Sequence, residues 1–439
     1  MDHDESQPLL LDDRDNDADN SASFLSIANR NHHSKHSILD NSAKQIDFSN
    51  IFEKDQLESE PDVVMTVFVV AFDTHHGNIV EWSVPNDAEL KSVEFQAMPS
   101  GAHKVDSDFI YFRIKDMFGL SCFEKMRVDS IEERGARMKS VGIISPSYTT
   151  LFKHMQFLEL QVRHQLQTPG RYEQLLEFYK DRCGVLPPLC NQPSSDFIIR
   201  RNQHHVRFPQ MKITHPAGCF SQFVQFFGEN IFVLWKLMLL QKRILFFSPP
   251  PIGVVCYRVY CACCLGRVTL AGFNNKCAVP YFYVNIADID QLESEMTYVA
   301  CTTEKIFQEK KDLYDVYVDN QLVQVVDNRY LNLLCVTKVD RENYQNLQNH
   351  RKDLFHQKGL GNSELPSEEQ FYQSFFTLQN NQLFRTLIET STSPDRTLTE
   401  EHIRAMGLDP VGDRHFIMDL LELYAIDVML VADNPCCPV

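Results

Sequence analysis

Five short apolar runs lie between Val63 and Ser145; the first is rich in β-branched and aromatic residues, and the other four alternate apolar and polar positions. The first run, VVMTVFVVAF, is separated from the second, IVEWSV, by the turn sequence THHGN, in which Gly77 can adopt a positive φ. The three later runs are DFIYFRIK, SCFEKMRV and MKSVGIIS. Alternation with a period of two is typical of strands, and the connections are short. The segment is therefore predicted to form a five-stranded antiparallel sheet.

The pattern then changes to helical spacing. Apolar residues recur at intervals of four, three and four, at Leu151, Met155, Leu158 and Val162. Ser145 is predicted to cap this helix and Pro146 to occupy its first position, so that its apolar side covers one face of the sheet. A second helix is predicted at RYEQLLEFYKDR, and a Pro-rich linker covers residues 184–216.

Helices and strands alternate in the next segment. A helix from Phe220 to Leu240 leads to the strand RILFFS, and the helix IGVVCYRVYCACCLG leads to the strand CAVPYFYVNI. DVYVDNQLVQVV, with Asp319 and Asn320 at its turn, is predicted to be a hairpin. This alternation is typical of a layered α/β unit.

Helical patterns dominate the last hundred residues. Ser367 with Gln370, and Thr397 with Glu400, have the spacing of capping boxes. Asp409, followed by Pro410, is predicted to start the final helix, HFIMDLLELYAIDVML. The expected organisation is a disordered acidic leader (1–62), a sheet with helices (63–183), a linker (184–216), an α/β unit (217–335) and a helical unit (336–439).

Charge is concentrated in the leader. Residues 1–62 contain 15 Asp and Glu against 5 Lys and Arg, which accounts for −10 of the net charge of −17 and leaves −7 for the rest of the chain. No basic stripe of the kind that binds a phosphate backbone is present, so nucleic acid is not an expected partner. The longest apolar region, FVLWKLMLLQKRILFF, is interrupted by four polar residues and does not predict a membrane span.

Cysteine and histidine residues offer only weak signals of chemistry. The thirteen cysteines, many in apolar surroundings, are typical of reduced thiols in the cytoplasm. Cys261 and Cys264 form a lone CxxC inside an apolar helix, which favours core thiols over a zinc or redox site. The doublets His75–His76 and His204–His205 are interpreted as a polar turn and a polar loop. A metal-dependent enzyme is the less favoured alternative.

The sequence contains no GxxxxGK[ST], GxGxxG, HExxH or GxSxG motif. No catalytic residue, cofactor-binding residue or metal ligand is therefore predicted, and no cofactor is expected. At the other end of the chain, Cys436 and Cys437 are weak candidates for lipidation, and an unmodified tail is the favoured alternative.

The ordered blocks of the chain resemble the DENN-domain family, and its small members more than its long multidomain ones. VVAFDTHHGNIVEWSVP resembles the upstream, longin-like part of a DENN module, and its matching residues are Phe72, Asp73, Gly77, Glu81 and Pro85. FFGENIFVLWKLMLLQKRILFFSPPP resembles the central helix and strand, and YVACTTEKIFQEKKDLYDVYVDN resembles the passage to the downstream part. The conspicuous positions are interpreted as structural and not as contact residues, with Asp73 capping the turn; they are Phe72, Asp73, Gly77, Glu81, Gly228, Trp235 and Phe246.

The resemblance implies an α+β and α/β fold in three parts: a longin-like antiparallel sheet with helices, a layered central unit and a helical C-terminal unit. It also implies guanine nucleotide exchange on a Rab-family small GTPase, with the first two parts forming one surface against the switch regions. The alternative is a scaffold or complex subunit of the same fold that binds small GTPases without promoting exchange.

The leader lies outside this resemblance and carries the sequence ESQPLL. Glu5, Leu9 and Leu10 match the acidic dileucine pattern [DE]xxxL[LI], which binds clathrin adaptors, and phosphorylation of Ser6 would add charge. The expected result is a cytoplasmic protein with at most peripheral membrane association, recruited to endosomal or lysosomal membranes. The alternative is that these leucines dock on the folded body or have no role.

Overall fold

The computed structural model describes residues 62–130, 132–183, 220–270, 279–359 and 368–431. The first described part forms five antiparallel strands, as predicted, with β1 between β2 and β5, and with β4 between β5 and β3. The strands are β1 (Thr66–Asp73), β2 (Gly77–Val84), β3 (Ser107–Ile114), β4 (Met117–Arg127) and β5 (Ala136–Ser145). The predicted linker and residues 1–61 of the predicted leader lie outside the described residues.

Three helices accompany this sheet: α1 (Val93–Ala97), α2 (Met155–Gln167) and α3 (Glu173–Arg182). Helix α2 packs on β4 and β5, and Leu158 and Val162 are fully buried there. The predicted start of this helix at Ser145 and Pro146 is wrong. Ser145 is still the last residue of β5, and its hydroxyl accepts a hydrogen bond from the backbone N–H of Ser147, so that a turn precedes the helix.

The central part alternates helices and strands, as predicted. Its helices are α4 (Phe220–Phe227), α5 (Ile231–Leu239), α6 (Gly253–Leu265) and α7 (Ile289–Glu293). Its strands are β6 (Ile244–Phe247), β7 (Pro280–Tyr283), β8 (Val299–Thr302), β9 (Val316–Asp319) and β10 (Leu322–Val325). The prediction of one helix from Phe220 to Leu240 is wrong, because Gly228 has a φ of +56° and begins a turn of 3-10 helix.

The two sets of strands form one mixed sheet. Strands β6 to β9 are parallel where they pair, β9 and β10 form the predicted hairpin, and β7 pairs in parallel with β3 where Phe112 lies opposite Tyr283. The resulting order is β10-β9-β6-β8-β7-β3-β4-β5-β1-β2. The antiparallel half and the parallel half are therefore held in register by backbone hydrogen bonds.

A buried carboxylate strengthens this connection. Asp108 of β3 accepts hydrogen bonds from the backbone N–H groups of Ile252 and Gly253, at 2.6 and 3.1 Å, where helix α6 begins. The first N–H groups of a helix have no partner inside the helix, and a negative charge is favourable there. A residue of the first part thus caps a helix of the second.

The last part is helical, with α8 (Lys338–Gly359), α9 (Glu368–Thr392), α10 (Glu400–Ala405), α11 (Arg414–Tyr424) and the short parallel strands β11 (Thr397–Leu398) and β12 (Met429–Leu430). Two predicted helix starts are wrong. The capping box that begins α10 is formed by Thr399 and His402, because Thr397 is still in β11. Asp409 caps a turn at Val411 and Gly412, so the final helix begins only at Arg414. Ser367 lies outside the described residues.

Candidate functional site

A groove of about 630 Å³ lies between the first and central parts of the sheet. We call it the junction groove. One wall comes from the first part and includes Phe72, Asn78, Phe95 and Met138; the other comes from the central part and consists of Asn285, Ile286, Ala287 and Glu304. Because the two walls come from segments that are distant in the chain, the fold creates a concave surface that neither segment has alone.

Large apolar side chains are exposed on both walls. Phe72 and Phe95 of the first part are 38% and 47% exposed, and Ile286 of the central part is 59% exposed. Apolar side chains that line a concave surface and remain in contact with water mark binding sites more often than isolated exposed side chains do. The groove therefore exposes apolar surface on both of its walls.

The central wall is built by a capping box. The Asn285 side-chain oxygen accepts a hydrogen bond from the backbone N–H of Ala287 at 2.8 Å, and the Asp288 carboxylate accepts one from the backbone N–H of Asn285 at 2.9 Å. Gln96 of helix α1 also donates to Asp288, at 3.0 Å, and so connects the two walls. Burial raises the pKa of Asp288 to about 6, although these hydrogen bonds favour its charged form.

Polar residues also line the groove, namely Asn78, Ser100, His103, Asn285 and Glu304. Glu304 accepts a hydrogen bond from the backbone N–H of Ile286 at 3.0 Å, and partial burial raises the pKa of its carboxyl group. The side-chain nitrogen of Asn285 is shielded from solvent and has no hydrogen-bond partner among the described residues. The groove thus combines apolar walls with one carboxylate and one unused N–H donor.

The turn between β1 and β2 lies beside the groove and confirms the capping role of Asp73. Its Oδ1 atom accepts hydrogen bonds from the backbone N–H groups of His75 and His76, both at 2.8 Å, and these bonds hold the pKa of Asp73 below its usual value. Gly77 has a φ of +78°, as expected for the turn. Within the described ranges, no three His, Cys, Asp or Glu side chains are grouped as a metal site would need.

Other conspicuous positions of the sequence have structural contacts. Glu81 accepts a hydrogen bond from the Tyr172 hydroxyl at 2.6 Å and pairs with Lys139. Trp235 is fully buried, as are Cys261 and Cys264 in helix α6. Over the described stretches of the chain, no helix is both long enough and apolar enough to cross a bilayer.

The residues singled out in the leader and tail lie outside the described residues, and their roles stay predictions. They are Glu5, Ser6, Leu9, Leu10, Cys436 and Cys437; His204 and His205 also lie outside. The junction groove is not predicted by the sequence. Phe72 is interpreted there as structural, and no local pattern marks Phe95, Asn285 or Glu304, because these residues come together only when β3 pairs with β7.

Comparison with known proteins agrees with the family resemblance of the sequence. The family model described as DENN domain-containing protein 11 matches residues 67–330. A protein of that name from Mus musculus is 56% identical over 391 residues, which cover 86% of this chain and 84% of the relative. One from Xenopus laevis is 57% identical over 383 residues, which cover 86% and 88%. The Saccharomyces cerevisiae protein ANR2 is 25% identical over 318 residues, which cover 61% and 60%. The chain therefore belongs to the DENN domain-containing protein 11 family.

Proposed function

We propose that this protein is a guanine nucleotide exchange factor that binds a Rab-family small GTPase across the junction groove and promotes replacement of GDP by GTP. The observation that carries this proposal is a groove with exposed apolar side chains on two walls, each contributed by a different part of the chain. Centres of protein interfaces are apolar and poor in charge, as this groove is. Membership of the DENN-domain proteins supplies the class of partner.

Exchange of this kind needs no bond chemistry in the exchange factor. A GTPase holds its nucleotide through switch loops and a phosphate-binding loop, and a protein that binds the rearranged, nucleotide-free state more tightly accelerates release. Each tenfold acceleration requires about 1.4 kcal/mol of such differential binding. The groove suits this task because the shared sheet and the hydrogen bond from Gln96 to Asp288 hold its walls in place.

The test is release of fluorescent GDP from a panel of purified Rab proteins in the presence of the full chain. Phe95→Asp and Ile286→Asp each place a charge in the groove, and we expect each to lower the accelerated release rate about tenfold or more. Leu160→Asp is the matched control, because Leu160 is 64% exposed on α2 and does not line the groove. Wild-type rates in both groove variants would refute the groove as the binding surface.

The same assay separates exchange from the scaffold alternative. A stable complex with a GDP-loaded or GTP-loaded Rab protein, without faster release for any member of the panel, would replace the exchange proposal by the scaffold. Acceleration that requires the groove would exclude a purely passive scaffold.

We also propose that Glu5, Leu9 and Leu10 form an acidic dileucine signal for a clathrin adaptor, which brings the cytoplasmic protein to endosomal or lysosomal membranes. The spacing of the acid and the leucine pair in the sequence supports this. Replacing Leu9 and Leu10 by Ala should move the protein from the membrane fraction to the cytosol, whereas Leu11→Ala, outside the required spacing, should not. Unchanged membrane association of the double variant would contradict the signal.

The division of the body into an upstream longin-like part (63–183), a central part (217–335) and a downstream part (336–439), joined by a linker (184–216), is likewise proposed. In this division the first two parts supply the walls of the junction groove. The third part packs on the central helices, as the contacts of α9 with α4 and α6 illustrate.

A further inference from the structure

The side-chain amide of Asn285 is only half used. Asn285 is 2% exposed and lines the junction groove, and its oxygen accepts the hydrogen bond from the Ala287 N–H. That bond fixes which end of the amide is the oxygen, because a backbone N–H cannot bond to the amide nitrogen. The remaining nitrogen has two hydrogens and no acceptor among the described residues.

An unused donor at a buried site is a feature that needs a reason. Folded proteins pair nearly all their buried polar groups, because leaving one unpaired is costly. A carbonyl oxygen brought in by a bound segment would pair with this nitrogen and remove the cost. The unused donor therefore points to a ligand that presents a hydrogen-bond acceptor at the central wall.

Glu304 supplies the second requirement. Its carboxylate accepts one hydrogen bond, from the Ile286 N–H, and forms no ion pair with a Lys, Arg or His side chain in the described part of the chain. A half-buried carboxylate beside apolar side chains attracts a cation more strongly than a fully solvated one does. The ligand that suits this wall therefore carries a positive charge.

We infer that the junction groove binds an extended, apolar and basic segment of the GTPase, in which a backbone carbonyl accepts a hydrogen bond from Asn285 and a Lys or Arg pairs with Glu304. The apolar side chain of this segment packs between Phe95 and Ile286, the exposed residues of the two walls. This inference rests on the proposed function for the identity of the partner. The chemistry of the segment follows from the groove itself.

Two substitutions remove these contacts and keep the wall intact. Asn285→Ser retains a side-chain oxygen that caps the turn. It replaces the amide N–H groups by one hydroxyl on a shorter side chain, which does not extend as far toward a bound segment. Glu304→Gln retains an acceptor for the Ile286 N–H and loses the charge. The matched control is Glu309→Gln, an exposed acid that does not line the groove. A melting temperature equal to that of the wild type is the check that the fold of each variant is unchanged.

Affinity for the most responsive Rab protein of the panel, in its nucleotide-free form, is measured at low and high ionic strength. Asn285→Ser should weaken binding about fivefold at both ionic strengths, the effect of one neutral hydrogen bond. Glu304→Gln should weaken binding about tenfold at low ionic strength and less at high, because salt screens the lost ion pair. Wild-type affinity in both variants, with binding abolished by Phe95→Asp, would overturn this inference and leave the proposed function standing.

A second probe does not depend on any Rab protein. A library of random twelve-residue peptides is selected on the full chain and counter-selected on the Phe95→Asp variant. The selected peptides should combine an apolar residue with Lys or Arg and should bind Glu304→Gln more weakly. Peptides without basic residues, or no groove-dependent peptide at all, would overturn the inference. Basic apolar peptides that bind the groove of a protein that binds no Rab would uphold the groove chemistry and refute the proposed function.

Discussion

The side-chain nitrogen of Lys236 lies 2.7 Å from a carboxylate oxygen of Asp340, and neither residue is accessible to solvent. Asp413 completes a buried triad, with an oxygen 2.6 Å from the same nitrogen. Burial raises the pKa of Asp413, although the nearby ammonium group favours its charged form. Lys236 belongs to the central helix α5, whereas Asp340 and Asp413 lie where α8 and α11 begin. The triad therefore connects the central part to two helices of the last part.

Removal of the ammonium group should be severely destabilising. We expect Lys236→Met to lower the free energy of unfolding by about 3–5 kcal/mol, because two buried carboxylates lose their counter-charge. Urea unfolding followed by tryptophan fluorescence measures this change. Lys338→Met is the control, since Lys338 is exposed and pairs with Glu342 on the helix surface, where an ion pair contributes about 0.5 kcal/mol or less. Equal effects of the two variants would show that the triad does not hold the last part in place.

The burial of Lys236 could not be predicted from the sequence. Lys236 interrupts the apolar region FVLWKLMLLQKRILFF, which the structure divides between helix α5 and strand β6. The pattern could not show that the lysine is itself buried. Its partners lie more than a hundred residues further along the chain, and no local period connects them. A charged side chain is buried only when the fold brings it to a partner. The spacing of apolar residues along a strand or a helix carries no information about such a distant partner.

Local sequence patterns predict which helices and strands form better than they predict the residues at which the helices begin. The five strands of the first part and the alternation of the central part follow from apolar spacing, which burial on one face imposes. Helix starts at Ser145 and Thr397 were placed wrongly because several nearby residues can cap. The cap at Thr399 has the same chemistry two positions later. The walls of the junction groove, which include Phe95 and Asn285, could not be predicted at all, since they meet only through strand pairing.

A second buried contact also involves the central helix. The indole N–H of Trp235 donates to the side-chain oxygen of Asn380 at 2.6 Å, and Asn380 donates in turn to the backbone oxygens of Leu265 and Arg267. We expect Trp235→Phe to cost about 1–3 kcal/mol beyond the loss of apolar contact, because the Asn380 oxygen is left unpaired. The double variant with Asn380→Leu in a thermodynamic cycle measures the coupling. A coupling energy near zero would contradict the proposed contribution of this hydrogen bond.

Gly228 and Gly253 are required for different physical reasons, and substitutions should distinguish the two reasons. A Cβ atom at Gly253 would lie 2.4 Å from the backbone oxygen of Phe109, whereas one at Gly228 would meet nothing within 4 Å and is disfavoured only by its φ of +56°. At Gly228, Asn should be tolerated better than Ala, because Asn adopts positive φ more readily. At Gly253, we expect Ala to cost about 1–3 kcal/mol and the larger Asn to cost more. Urea unfolding of the four variants tests this, and the same rank order at both positions would refute the assignment.

The last prediction concerns pH and the buried cap of helix α6. Burial raises the pKa of Asp108 to about 6 from an ordinary value of 3.8, despite its hydrogen bonds from three backbone N–H groups. The native state therefore binds this proton more tightly than the unfolded state does, and the resulting stabilisation is lost as the pH rises through about 6.

From pH 5 to pH 7 we expect this one carboxyl group to reduce the free energy of unfolding by about 1 kcal/mol. Asp108→Asn should remove that share of the pH dependence, whatever its effect on stability at a single pH. Urea unfolding of wild type and variant at pH 5, 6 and 7 gives the difference directly. Asp288→Asn should remove a similar share, since burial raises the pKa of Asp288 to about 6 as well. A difference between wild type and Asp108→Asn that stays constant across the three pH values would mean that the native Asp108 carboxyl group does not titrate in this range.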